Sequence, residues 1–272
     1  MSYTLEQALN DPPYKKAVME LLFQLADDDF ILAYRGSEWL GLAPHIEEDV
    51  AFSSISQDTM GHAAMFYQLL HELGAGEPDA LAHARAAKEW KNSILIELVN
   101  GPGTYLTEPQ YDWAFTVVRN YFYVQAKKVK MDSLKESSYK LLAEAAVKVN
   151  MELYYHLLHW KTWFRQLMEA GGEARARMEA AVYRVYDYLA DLFSYGEKTN
   201  EFTRFNLIAN ESQLITAWIQ ATKPIFESVN LMVPSQFGMK DGNGRKGKHT
   251  QDLNSALSTL NEVYKFDPAA SW

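Results

Sequence analysis

Along most of this chain apolar residues recur at three- and four-residue intervals, the period at which an α-helix returns to one face. The pattern predicts helices over residues 13–38, 46–73, 79–98, 110–132, 137–170, 173–194, 210–232 and 250–264. Sparse punctuation separates them: Asp11-Pro12-Pro13, Gly41 to Pro44, Gly74 to Pro78, Gly101-Pro102-Gly103, Gly171-Gly172, and a Gly/Lys stretch from Gly238 to Gly247. Strand-like alternation bounded by turn pairs is absent. The expected fold class is all-α, with the segments 13–38, 46–73, 110–132 and 137–170 making one four-helix bundle and the remaining helices added to it. No low-complexity linker divides the chain, so residues 1–272 read as a single domain.

The apolar stripes carry polar interruptions. The second segment aligns Ala51, Ile55, Asp58, His62, Met65, Leu69 and Leu73 on one face. The segment 137–170 aligns Ala145, Val149, Glu152, His156, Trp160, Trp163 and Leu167. In each, an acid and a histidine four residues apart sit inside the seam. The segment from Gln110 places Gln125 in the line Ala114, Val118, Tyr121, Gln125, Val129, and the first helix ends on Ile31, Arg35 and Glu38. Four helices are thus expected to turn one polar residue inward: Glu38, Asp58, Gln125 and Glu152.

A buried carboxylate costs several kcal/mol unless it is paired or bound to metal. Carboxylate-bridged di-iron bundles use one Glu from each of two helices and Glu-x-x-His from each of the other two. Here the i+3 positions hold Gly61 and Tyr155, and the histidines stand at i+4 instead. Moving from i+3 to i+4 swings a side chain by about 100° round the helix. Gln125 adds no charge, and three carboxylates do not balance two divalent cations. The expectation is a vestigial di-metal geometry without metal, in which Asp58 and Glu152 bond to His62 and His156 or to Arg35. A self-standing di-metal oxidase with rearranged ligands, built on His62 and His156, is the alternative reading; a free-standing helical binding or storage module is a third. His156 and His159 at i+3 lack an acidic helix aimed at them, and Glu47-Glu48-Asp49 is explained by the positive N-terminus of the helix it opens.

Composition narrows the class. Of 272 residues 35 are Asp or Glu and 26 Lys or Arg, a net charge of −9, which argues against a nucleic-acid partner and against docking on anionic lipid. The chain has no cysteine, excluding disulfides, thiolate metal sites and a cysteine nucleophile. No long uncharged apolar run and no leader pattern occur, so no membrane span and a cytoplasmic location are expected.

The run Arg35-Gly-Ser-Glu38-Trp39-Leu-Gly41-Leu-Ala43-Pro44-His-Ile-Glu47-Glu48-Asp49, then Gln57-Asp58-Thr-Met-Gly61-His62, resembles the C-subunit family of the bacterial phenylacetyl-CoA epoxidases. Arg119-Asn-Tyr121-Phe122, Glu152-Leu-Tyr-Tyr155-His156 with Trp163, and Gly244-Arg-Lys-Gly247-Lys-His249-Thr250 extend the resemblance over nearly the whole chain, the first ten residues apart. It implies a ferritin-like fold and a structural, non-catalytic role in the multicomponent monooxygenase of aerobic phenylacetate catabolism. In that family a paralogous A subunit carries the di-iron centre and epoxidises the ring of phenylacetyl-CoA, with electrons from NADPH through a reductase subunit. The resemblance implies that this chain holds no cofactor and no catalytic residue, supports the A subunit, is inactive alone, and meets phenylacetyl-CoA at the interface if at all.

The segment Lys240-Asp-Gly242-Asn-Gly244-Arg245-Lys246-Gly247-Lys248-His249 contains a formal G-x-G-x-x-G. No strand precedes it, so it is no dinucleotide fingerprint. Arg245, Lys246, Lys248 and His249 on a flexible loop leading into the last helix read either as solvated charge or as contacts to CoA phosphates or to a partner. Tyr154, Tyr155, Trp160, Trp163 and Phe164 read as core, with an interface role open to part of the set.

Overall fold

The structure, a computed structural model, describes residues 2–270. The described residues form thirteen α-helices: α1 (Leu5–Leu9), α2 (Pro12–Ser37), α3 (Ile46–Glu72), α4 (Pro78–His83), α5 (Ile94–Glu97), α6 (Trp113–Leu134), α7 (Lys140–Glu169), α8 (Gly172–Tyr186), α9 (Leu189–Phe193), α10 (Thr199–Arg204), α11 (Glu211–Ser228), α12 (Gln251–Leu260) and α13 (Glu262–Phe266). Two short 3-10 turns, Ala87–Glu89 and Gly244–Lys246, complete the set, and among the described residues β-pairing is limited to two isolated bridges. The fold is all-α, consistent with the ferritin-like class. The four segments expected to be long are long: α2, α3, α6 and α7 have 26, 27, 22 and 30 residues. Among the described residues no helix is long and apolar enough to cross a membrane.

Three expected helices are broken. The segment 79–98 forms α4, a 3-10 turn and α5, because side chains claim the backbone in between. Asp27 accepts from Lys91 N at 2.7 Å, Asp28 accepts from Ser93 N at 2.8 Å, and Arg85 Nε donates to Leu81 O at 2.5 Å. The segment 173–194 stops at Tyr186 and resumes at Leu189. Gly238 N donates to Tyr186 O at 2.8 Å and Lys240 N to Asp187 O at 2.9 Å, so a returning strand of chain takes carbonyls that a continuous helix would use itself. The segment 250–264 divides at Asn261, whose buried amide meets His83 Nδ1 at 2.9 Å. Two short helices, α1 and α10, fall outside the expected segments; α1 starts on a Thr4–Gln7 capping box.

Two compact units make up the chain, residues 1–18 with 100–240 and residues 19–99 with 241–272, and their boundary falls inside α2. In the first unit α6 is the central element. It is buried round most of its circumference, from Ala114 to Val124 without a break. Phe122 on α6 packs against Phe164 of α7, Tyr186 of α8, and Trp218 and Phe226 of α11, with ring centroids 5.3 to 6.0 Å apart. Trp218, fully buried, also donates from Nε1 to Phe122 O at 3.1 Å. In the second unit α2 and α3 contribute Leu22, Ala26, Phe30, Phe66 and Leu70, closed by Trp90 and Ile94 to Ile96.

Trp218 fills a site bounded by five aromatic rings, so truncating it leaves a cavity that rigid neighbours cannot fill. Trp218→Ala is expected to destabilise the protein by about 3–5 kcal/mol, and Trp218→Phe, which keeps a ring, by about a third of that. Urea denaturation followed by far-UV circular dichroism measures both.

Candidate functional site

The four polar positions read as inward-facing differ in depth. Glu38 lies one residue beyond α2, its side chain 13% exposed, and accepts from Arg35 Nη1 at 2.9 Å. Asp58 on α3 is half-buried and His62 fully buried, while Gly61 between them is exposed with open space where a side chain would stand. Gln125 is half-buried on a helix whose neighbouring positions are buried. Glu152 is exposed. The stripe through Glu152 is therefore a correction: the buried face of α7 runs through Val149, Leu153, His156, Trp160 and Phe164. At 100° per residue Glu152 stands about 60° to one side of Val149, enough to turn it out to solvent. His156 is buried while Glu152 is exposed, and Tyr155 is 69% exposed. Besides His156, α7 turns Asn150 inward, and its amide donates to Asp132 Oδ1 at 3.0 Å. Trp160 and Phe164 are core as expected, whereas Tyr154 and Tyr155 lie on the surface. Glu38 and Asp58 belong to the second unit, Gln125 and Glu152 to the first. Among the described residues no group of three His, Asp or Glu side chains is arranged to hold a metal ion.

The buried charge of the second unit lies elsewhere. Three consecutive acids, Asp27, Asp28 and Asp29, are all buried in the middle of α2. Asp27 receives Arg85 from two nitrogens, at 3.0 Å on Oδ2 and 2.5 Å on Oδ1, together with Tyr67 OH at 2.7 Å. The Arg85 guanidinium stacks 4.4 Å from the Trp90 ring centre. Burial, and then the Asp27 charge, pushes the Tyr67 phenol well above its ordinary range, so it acts as a donor. Burial works against the charge on Arg85, but Asp27 outweighs it and holds the guanidinium protonated.

Asp28 is matched by Arg245 in a two-pronged pair, Nη1 to Oδ1 at 2.9 Å and Nη2 to Oδ2 at 2.7 Å, with side-chain exposures of 3% and 0%. Arg245 Nη1 also donates to Lys91 O at 2.5 Å. The loop around it is consequently no solvated charge run. Gly244 sits so close to the Asn92 carbonyl, and Gly247 (φ +71°) so close to the Lys88 carbonyl, that a Cβ at either would overlap an oxygen. The glycines serve backbone packing rather than phosphate.

Glu97 on α5 is a second hub, fully buried. Its Oε1 accepts from Thr250 N at 2.6 Å and Thr250 Oγ1 at 2.9 Å; its Oε2 accepts from Asn92 Nδ2 at 2.8 Å and meets His249 Nδ1 at 2.7 Å. His249 Nε2 faces Trp90 O at 3.0 Å, so this ring nitrogen carries a hydrogen and a further proton is held between Nδ1 and the carboxylate. Arg35 closes the set, donating to Glu97 O from Nε at 3.0 Å and Nη2 at 2.8 Å, and to Asp252 O at 3.0 Å. Of the four basic loop residues, then, Arg245 and His249 are internal and only Lys246 and Lys248 are exposed. The sequence signals that mark this network are the Asp run inside an apolar helix and Glu97 at the end of Ile94-Leu95-Ile96; neither lies on the stripes that single out the four inward positions. An arrangement of this kind fixes segments. The carboxylates of Asp27, Asp28 and Glu97 are each met by an opposite charge or by several hydrogen bonds.

The sequence profile of the phenylacetic acid catabolic protein family matches residues 1–272 of the chain. The C subunit of the 1,2-phenylacetyl-CoA epoxidase of Escherichia coli (strain K12) is 28% identical over 250 residues, covering 92% of this chain and 96% of that protein.

Removing one partner of a fully buried pair strands the other charge in a site of low polarity. Asp28→Ala is expected to cost about 3–5 kcal/mol, and the double replacement Asp28→Leu with Arg245→Met to recover most of that loss. Thermal and urea unfolding of the two variants test this; equal instability of both would mean that the charges do not act as a pair.

Proposed function

Because the chain belongs to the phenylacetic acid catabolic protein family, we propose that it is the C-type subunit of a phenylacetyl-CoA epoxidase complex acting in phenylacetate breakdown. In this reading it holds no di-iron centre and supports a catalytic A-type subunit that does. The observation that carries the reading is the match to a C-type epoxidase subunit over 92% of the chain, together with a donor set that does not suit two iron ions. Gln125 offers a neutral amide, Gly61 offers nothing, Tyr155 is 69% exposed, and Glu152 is turned to solvent. Iron held by the partner would supply the activation of dioxygen. This chain's residues do other work: Asp28 with Arg245, and Glu97 with His249 and Thr250, fasten the Gly/Lys loop and the start of α12 onto α2 and α5. A rigid framework of satisfied buried charges is what a supporting subunit needs. Lys246 and Lys248 are the exposed basic residues of the loop, and in this reading they face an anionic partner surface or the phosphates of phenylacetyl-CoA.

Co-expression with an A-type subunit that carries intact Glu-x-x-His motifs is the direct test. The expected result is a stable complex with all the iron on the A-type chain. Two tightly held irons per isolated chain, or oxygen consumption by this chain with reductase alone, would overturn the reading. Within the complex, Lys246→Ala with Lys248→Ala is expected to raise KM for phenylacetyl-CoA about three- to tenfold with kcat unchanged; an unchanged KM removes the loop from substrate binding.

A further inference from the structure

The outward face of α7 carries a second apolar line. Val147, Met151, Tyr154 and Leu158 are 49%, 64%, 64% and 55% exposed, although the opposite face of the same helix is fully buried. Their spacing of four, three and four is the a/d rhythm of a helix that packs lengthwise against another helix. Tyr155, 69% exposed, flanks the line and meets Tyr154 edge to face at 5.3 Å. Together these five side chains present on the order of 500 Å² of apolar surface, at the upper end of the largest patch on an ordinary monomer and more than half of the about 800 Å² that each partner buries in a stable interface.

The order of residues along this line identifies its occupant. The stripe is symmetric about the point midway between Glu152 and Leu153. Val147 and Leu158 lie equally far from that point, as do Met151 and Tyr154. One step further out, at equal distance on the two sides, stand Glu144 and Lys161, of opposite charge. Both are exposed; Lys161 makes no ion pair among the described residues, and Glu144 has only Lys140 at 3.9 Å. In an antiparallel helix pair each a position faces a d position of the partner. A second α7 laid antiparallel across the stripe therefore sets Val147 on Leu158, Met151 on Tyr154 and Glu144 on Lys161, each pair occurring twice, as a two-fold axis requires. The next pair outward, Lys140 with Arg165, is of like charge, and each already has an acid on its own helix (Glu144 and Glu169), which ends the seam there. We propose that α7 is a self-complementary dimerisation seam, and that its occupant is a second copy of this chain related by a two-fold axis through the middle of the helix.

The full-length chain, alone, is expected to sediment as a dimer at micromolar concentration. Met151→Glu with Tyr154→Glu is expected to raise the dimer dissociation constant about 100-fold or more, with an unchanged melting temperature because both side chains are exposed. Glu144→Lys or Lys161→Glu singly should weaken the dimer about five- to tenfold, and the two together should restore it. Carbodiimide treatment should join Glu144 to Lys161 between chains, read by mass spectrometry. A monomeric wild type at 100 µM (about a hundred times a micromolar dissociation constant) would overturn the proposal. Self-association untouched by the double glutamate variant would do the same, as would loss of an A-type partner by that variant while the chain's own dimer persists.

Discussion

Asp28 stands in the middle of a 26-residue helix, almost out of reach of water, and its charge has to be met from elsewhere in the chain. A carboxylate in that position costs several kcal/mol if left alone. Arg245, 217 residues away in sequence, supplies both prongs of its guanidinium, and Ser93 supplies a backbone N–H. Much of the second unit follows from this pairing. The backbone from Lys91 to Ser93 cannot be helical while Asp27 and Asp28 hold its amides, so the expected helix over 79–98 becomes two short ones. The Gly/Lys loop must come down onto the Asn92 and Lys88 carbonyls to deliver Arg245, which is why it needs glycine at 244 and 247. Glu97 then receives His249 and Thr250, and α12 begins where Thr250 caps it.

This arrangement bears on function through what it does with charge. A bundle that carries metal keeps carboxylates poised around a cavity. Here three deeply buried acids, Asp27, Asp28 and Glu97, are bound by arginine, histidine and backbone amides. Of the positions that the ligand pattern of a di-iron bundle would use, one has become an amide, one a glycine, and one an exposed tyrosine. A protein with its buried charge already satisfied is suited to hold a shape, and the proposed supporting role in an epoxidase complex draws on that property.

Helix α7 shows how one element can serve two purposes. One face contributes Val149, Leu153, Trp160 and Phe164 to the core of the first unit. The other carries Val147, Met151, Tyr154 and Leu158 in the open. Apolar residues on both faces flatten the contrast from which an inward direction is read in sequence, and Glu152, near the edge between the faces, lies on the outward one. The same blurring hides which of the aromatic residues from Tyr154 to Phe164 belong to the core.

Periodicity alone determined the all-α class and the four long helices, because hydrophobic repeats of three and four residues are a local property that the chain writes out in order. The missing i+3 histidines were equally plain, since they depend on identity and spacing within one helix. What the sequence left undecided is every pairing over long separation: Asp28 with Arg245, Asp27 with Arg85, Glu97 with His249. Such partners are chosen by where the folded backbone brings them, and nothing in a run of Gly, Arg and Lys distinguishes a solvated loop from one whose arginine closes a buried ion pair. Only the tertiary structure placed Arg245 and His249 inside and Glu152 outside, because burial is set by the packing of neighbouring elements and not by the residues on either side in the chain.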